Sequence, residues 1–249
     1  MYLQIKDLNI YFQKTGKGKV LIMLHGWGLD VSTFWGVVEL LKDKYTIYLI
    51  DLPGFGRSSL PKNAYAVSDY AEIIKEFISK EKLEKPIILG HSFGGRIAIK
   101  LTSKYPELVD KLILEDAAGI KPRRDLLKPV FYIGSGIFKY LMPNIFNLKE
   151  RIRYKFYSSL ESDYLNAGVL KDTLTNILAE DLTPDLKKID TETLLIWGEK
   201  DATGEASLEN GKKMYRFIKN SRIEIIDDAG HSPHLDKPER FAYYVKDFS

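Results

Sequence analysis

Ser92 stands in the stretch Gly90-His91-Ser92-Phe93-Gly94-Gly95, with a glycine two residues before it and glycines two and three residues after it. A serine hydroxyl is a weak nucleophile until a base takes its proton, and that base needs a third group to hold its tautomer and stabilise its charge. The pattern alone is weak, since with glycine at about 7% of residues it arises by chance in roughly one protein in ten of this length. The base must therefore be sought among only four histidines. His25 precedes Gly26-Trp27-Gly28 and His91 adjoins the serine, whereas His231 lies between an apolar run and a final helical pattern. His231 is the predicted base. His234 could join it as a metal pair, but Pro233 argues against one helix carrying both and no carboxylate cluster accompanies them, so His234 reads as a loop residue. No metal and no cofactor are expected.

For the acid, Asp201 follows the run Thr193–Trp197 and precedes His231, giving the order serine, aspartate, histidine. Its competitor is Asp116 in Leu112-Ile113-Leu114-Glu115-Asp116, which also follows an apolar run; Asp201 is preferred. Asp227 and Asp228 are nearer to His231 in the chain and read as strand-end and turn residues.

These side chains meet only if the chain carries them to one place. Apolar runs at 20–24, 45–50, 86–89, 111–114, 193–197 and 223–226 are nearly continuous, as strands of a parallel sheet covered on both faces must be. Helical patterns separate most of them. Residues 68–82 place Tyr70, Ile73, Ile74, Phe77 and Ile78 on one face, with Ser68 as N-cap, and Phe241, Tyr244, Val245 and Phe248 do the same behind Pro238. Such alternation implies right-handed crossovers, so the carboxyl ends of the strands share one edge and the loops after them converge. The run before Ser92 reads as a buried strand and the segment after it as a helix, with Ile97, Ala98 and Leu101 inward. That is the context of a nucleophile elbow, whose tight turn needs positions without a Cβ.

Composition narrows the class. Lys plus Arg is 37 and Asp plus Glu is 34, and a formal charge of +3 is too small for a nucleic-acid binder. Zero cysteines exclude disulfides, thiolate nucleophiles and Cys-ligated metals. No apolar run reaches the roughly 18 residues of a membrane span, and the N-terminal stretch lacks a signal-peptide layout, so a soluble, cytoplasmic protein is expected.

With these motifs in hand the chain resembles an α/β-hydrolase over essentially its whole length. His25-Gly26-Trp27-Gly28 is similar to the family's oxyanion loop, which implies that the backbone N–H groups of Trp27 and Phe93 hold a tetrahedral oxyanion. Asp51-Leu52-Pro53-Gly54-Phe55-Gly56-Arg57-Ser58 resembles the loop after the next strand, with Asp51 and Arg57 in structural roles. The resemblance implies an α/β fold with a mostly parallel central sheet flanked by helices. One catalytic domain is expected, made of a core at 1–119 and 186–249 interrupted by a helical lid at 120–185.

A serine at the elbow favours acyl transfer, and the expected activity is hydrolysis of a small-molecule carboxylic ester. Hydrolysis of carbon-carbon bonds in ring-fission products is an alternative, although such enzymes often have asparagine before the serine and His91 stands here. The segments at 25–29 and 51–58 are also similar to those of the pimeloyl-carrier-protein methyl esterase family, which implies an acyl carrier protein as a partner. A ligand-binding receptor on the same fold is the non-enzymatic alternative. Trp27, Phe93, Phe131 and Phe138 are the candidate substrate-binding residues. Basic residues crowd the lid between Lys121 and Lys155, among them Arg151 and Arg153, and read either as a solvated face or as a carrier-docking surface.

Overall fold

The computed structural model describes residues 1–121 and 168–248. Eight strands form one sheet: β1 (Tyr2–Ile5), β2 (Leu8–Gly16), β3 (Lys19–Leu24), β4 (Tyr45–Ile50), β5 (Ile87–His91), β6 (Leu112–Glu115), β7 (Thr193–Gly198) and β8 (Ser221–Ile226). Their order across the sheet is β1-β2-β4-β3-β5-β6-β7-β8. From β4 to β8 every neighbouring pair is parallel, while β1 and β2 pair antiparallel with each other and β2 runs antiparallel to β4.

The six apolar runs are the six parallel strands, each within two residues of its predicted ends, and their composition has a direct cause. Ile22 and Leu24 of β3 join one core cluster while Leu21 and Met23 join the other, and Leu195 and Trp197 of β7 divide from Leu194 and Ile196 in the same way. A strand covered on both faces has no position to spare for a polar side chain. The first two strands were not anticipated. β1 has one buried residue and β2 mixes buried apolar positions with exposed polar ones at Asn9 and Lys14, so a search for long continuous apolar runs passes over them.

One face of the sheet is covered by α2 (Val67–Lys80) and α3 (Phe93–Lys104), the other by α1 (Trp35–Leu41) and α8 (Pro238–Phe248). Helix α2 buries Tyr70, Ile73, Ile74, Phe77 and Ile78 as its spacing predicts. Its cap differs from the expectation. Ala66 is the extended residue before the helix, its N–H donates to Asp69 Oδ2 at 2.7 Å, and Ser68 lies inside the first turn. Asp69 thus reaches back to satisfy an N–H that no helical carbonyl can reach, and favours the positive end of the helix dipole.

Of the predicted lid at 120–185, residues 122–167 lie outside the described residues, and with them Phe131, Phe138 and the basic residues from Arg123 to Lys155. The described remainder is helical, α4 (Gly168–Ala179) and α5 (Thr183–Leu186). Leu170, Ile177, Leu182 and Leu186 join the same core cluster as α2 and α3, and Thr173 Oγ1 accepts the Tyr65 N–H at 3.0 Å. The remaining helices α6 (Leu208–Phe217) and α7 (Pro233–Asp236) follow β7 and β8.

Candidate active site

The site is assembled where β5, β7 and β8 end. Ser92 occupies the turn between β5 and α3 with φ 52° and ψ −109°, a left-handed backbone rarely adopted by a residue with a side chain. The turn is fixed from both sides: Ser92 N–H donates to Glu115 O at 3.0 Å, and Ser92 O accepts the N–H groups of Gly95 and Ala118, each at 3.1 Å. The flanking glycines are required by closeness. A Cβ on Gly90 would overlap the Gly94 carbonyl oxygen, and one on Gly94 would overlap that of Leu24. The helix therefore starts pressed against the sheet, and the serine hydroxyl stands proud of it.

His231 comes from the loop after β8, where Asp228 turns the chain with φ 62° and Gly230 N–H donates to Asp236 Oδ2 at 2.8 Å. Asp201 comes from the loop after β7. His231 Nε2 lies 3.0 Å from Ser92 Oγ, and His231 Nδ1 lies 2.8 Å from Asp201 Oδ2. Asp201 Oδ1 accepts the Thr203 N–H at 2.8 Å. Burial pushes the Asp201 carboxyl up, but its hydrogen bond and attraction to His231, with those from Asp116 and Thr203, outweigh this and hold it below the usual range. The acid is therefore ionised at neutral pH. The side chain of Asp201 is wholly buried whereas that of His231 is 25% exposed, so the ring can meet a solute while its orienting partner stays dry. A hydroxyl, an imidazole and a carboxylate in this sequence can move a proton from oxygen to nitrogen and stabilise the cation formed.

Asp116 does not take the place of Asp201. It lies beside that carboxyl and accepts the Gly198 N–H at 3.1 Å. Asp228 pairs with Lys200, an exposed contact at the turn. Asp51 accepts Val31 N–H and Arg57 N–H, both at 2.8 Å, and so ties two loops.

The loop after β3 reaches the elbow through its backbone, with His25 O accepting the Gly94 N–H at 3.1 Å. His25 is buried, its Nε2 accepts the Leu52 N–H at 3.0 Å, and its Nδ1 therefore carries the proton given to Gly26 O at 2.8 Å. Burial pushes its pKa down, consistent with that neutral ring. Outside the helices and strands, the N–H groups of Trp27 and Phe93 donate to no backbone carbonyl among the described residues. Their rings form an aromatic wall: Trp27 packs edge-on against Phe93 at 5.2 Å and Phe55 at 4.8 Å, and Tyr70 against Phe93 at 5.0 Å.

His234 is not a loop residue, and its partner escaped the sequence reading. It is buried in α7, where both its N–H and its Nδ1 meet Glu115 Oε1, at 2.8 and 2.7 Å. His231 and His234 thus face different carboxyl groups. The available signal was Glu115 itself, an acid that ends a buried apolar run and needs a buried donor.

Residues 21–242 match the family described as "Alpha/beta hydrolase family". The 2-hydroxy-6-oxononadienedioate/2-hydroxy-6-oxononatrienedioate hydrolase 1 of Pseudomonas putida is 29% identical over 266 residues, covering 97% of this chain and 92% of that protein. The pimeloyl-[acyl-carrier protein] methyl ester esterase of Wigglesworthia glossinidia brevipalpis is 28% identical over 266 residues, covering 96% of this chain and 98% of that protein. Among solved structures, a bacterial membrane phospholipase A superposes with a TM-score of 0.79 at 27% identity, covering 100% of this chain and 84% of the other.

Proposed function

Because the chain belongs to the alpha/beta hydrolase family, we propose that it hydrolyses carboxylic esters through an acyl-enzyme on Ser92. The observation that carries this reading is the unbroken contact from Ser92 Oγ to His231 Nε2 at 3.0 Å and from His231 Nδ1 to Asp201 Oδ2 at 2.8 Å. In the first half-reaction Ser92 Oγ attacks the ester carbonyl carbon while its proton passes to His231 Nε2. The carbonyl π electrons move onto oxygen, where the N–H groups of Trp27 and Phe93 receive the charge. Collapse of this intermediate breaks the carbon–oxygen bond to the leaving group, and His231 returns the proton to the departing alcohol. Water then attacks the acyl carbon, gives its proton to His231, and displaces Ser92 Oγ, which is reprotonated as the acid leaves.

Each backbone donor in such a hole is worth about 10²–10³ in rate, because it points at charge that develops only in the transition state. Trp27 and Phe93 also offer apolar ring surface to the acyl group, and Phe131 and Phe138 are proposed to extend it. A second reading, carbon-carbon bond hydrolysis, is favoured by the Pseudomonas relative. An acyl-carrier-protein ester is a further candidate substrate, on the strength of the Wigglesworthia relative.

A fluorophosphonate probe and a panel of p-nitrophenyl esters of increasing acyl length, with one ring-fission product alongside, test the proposal. Ser92 is expected to be labelled and the esters to be hydrolysed faster than the ring-fission product. No labelling would fit a receptor, and faster cleavage of the ring-fission product would transfer the assignment to carbon-carbon chemistry.

A further inference from the structure

A second carboxyl group lies against the acid of this site. Asp116 follows β6 directly, is fully buried, and holds φ 37°, a left-handed conformation that residues other than glycine rarely adopt. Its own N–H donates to Ile196 O at 3.1 Å, which anchors the turn on β7. This backbone aims the side chain across the end of β7: Oδ1 accepts the Gly198 N–H at 3.1 Å, and the carboxyl lies beside that of Asp201. One ligand atom from each of Asp116, Asp201 and His231 falls within 4.8 Å of the others.

Two ionised carboxylates offer each other only lone pairs and repel, so a buried pair this close is stabilised by one proton held between them. Asp201 already has two donors, His231 Nδ1 on Oδ2 and Thr203 N–H on Oδ1, and is the better place for the negative charge. Asp116 has the Gly198 N–H and faces two further acids, Asp201 and its neighbour Glu115. We propose that Asp116 is a positioning residue that keeps a proton and donates its O–H to Asp201, fixing the carboxylate that orients His231. Burial pushes the Asp116 carboxyl well up, and the hydrogen bond with Asp201 and the charges of Asp201 and Glu115 push in the same direction against the Gly198 N–H. The groups facing it from β6, from the loop after β7 and from the loop after β8 are thus Glu115, Asp201 and His231. The proton stays on Asp116 throughout turnover. No bond to substrate is involved.

The proposal rests on Asp201 being the acid of the proposed esterase, so its test has an arm that needs no activity. In the full-length wild type at neutral pH, infrared spectroscopy is expected to show a protonated-carboxyl band that disappears in Asp116→Asn. In urea unfolding, wild type is expected to lose stability relative to Asp116→Asn as pH rises above about 4, because the unfolded aspartate has released a proton that the folded one must take up. In the activity arm, kcat for a p-nitrophenyl ester is expected to fall about tenfold in Asp116→Ala. Asp116→Asn, whose amide can still donate to Asp201, is expected to recover most of that loss. Absence of a protonated-carboxyl band in wild type, a stability gap that does not change with pH, or a loss in Asp116→Asn as large as in Asp201→Asn would each overturn it. If wild type neither hydrolyses esters nor reacts with fluorophosphonate while the infrared and urea results hold, the esterase reading fails and the shared proton stands.

Discussion

His91 Nε2 lies 2.7 Å from the carbonyl oxygen of His231, so the residue before the proposed nucleophile holds the backbone of the proposed base. A carbonyl can only accept, which puts the His91 proton on Nε2. Burial first, and then the neighbouring His234 and His231, push the His91 pKa well down, so this ring stays neutral and keeps donating across the working pH range. The two loops are therefore fastened to each other by a group that does not titrate with them. His91→Phe keeps the ring volume and removes the donor. It is expected to lower kcat about tenfold with KM little changed, because a misplaced base costs transition-state stabilisation rather than binding. Steady-state kinetics would check it, and a change confined to KM would show that the contact serves substrate binding.

Ser92 carries strain as well as chemistry. Replacing it by alanine is expected to abolish turnover by about 10⁴-fold or more, with the fold retained, since the hydroxyl packs against nothing that needs it. Ser92→Gly should be as inactive and more stable than wild type by about 1 kcal/mol, because glycine adopts φ 52° without penalty. Urea unfolding of the three proteins measures this. A glycine variant less stable than the alanine variant would place the strain elsewhere.

How much of this was legible depended on what each residue announces locally. Ser92, Asp201 and His231 each follow an apolar run closely, and a parallel sheet brings the ends of such runs to one edge, so their meeting could be read from strand ends and chain order. Helix α2 was equally plain, because its buried face repeats at helical spacing, but its cap was not: Ala66 has no capping side chain and borrows that of Asp69. β1 and β2 were hidden because polar residues such as Gln4, Asn9 and Lys14 interrupt their apolar positions. The Glu115–His234 pair was hidden more deeply. It joins residues 119 positions apart, and neither carries a mark of the other.

That buried pair gives a further prediction. Glu115 and His234 have no exposed side-chain surface, and removing one member leaves the other's polar atoms dry and unsatisfied. His234→Ala is expected to cost about 1–3 kcal/mol of stability from the orphaned carboxyl, with a cavity beside Phe34 and Phe241 added to it. Glu115→Gln keeps an acceptor oxygen and should cost less. Equal losses in the two variants, measured by urea unfolding, would contradict the pairing as the source.

The carrier-protein candidate is tested by Arg151 and Arg153, which lie outside the described residues. Changed together to Glu, they are expected to lower kcat/KM for an acyl-carrier-protein ester while hydrolysis of a small neutral ester stays nearly the same. Electrostatic docking acts on association and is screened by salt, so the comparison belongs at low ionic strength. Equal rates for both substrates in the double variant and its parent would reduce the basic stretch to a solvated face.

Asp201 links stability to pH in a direction its surroundings determine. Its folded pKa is depressed below the unfolded value of about 3.9, so near neutral pH its contacts with His231, Thr203 and Asp116 stabilise the fold. As pH falls through that window the folded state resists a proton that the unfolded chain accepts, and the contribution is lost. Asp201→Asn cannot take part in this. Wild type is expected to be the more stable of the two at pH 7, with the gap narrowing from about pH 5 downward. The same variant should lower kcat by about 10⁴, because an amide at this position favours the wrong imidazole tautomer and cannot balance the imidazolium. Unfolding midpoints at several pH values, beside kcat at pH 7, separate the two effects. A gap that stays constant down to pH 3 would mean that Asp201 is not held ionised by its neighbours, and a variant with near-normal kcat would remove it from the proposed chemistry.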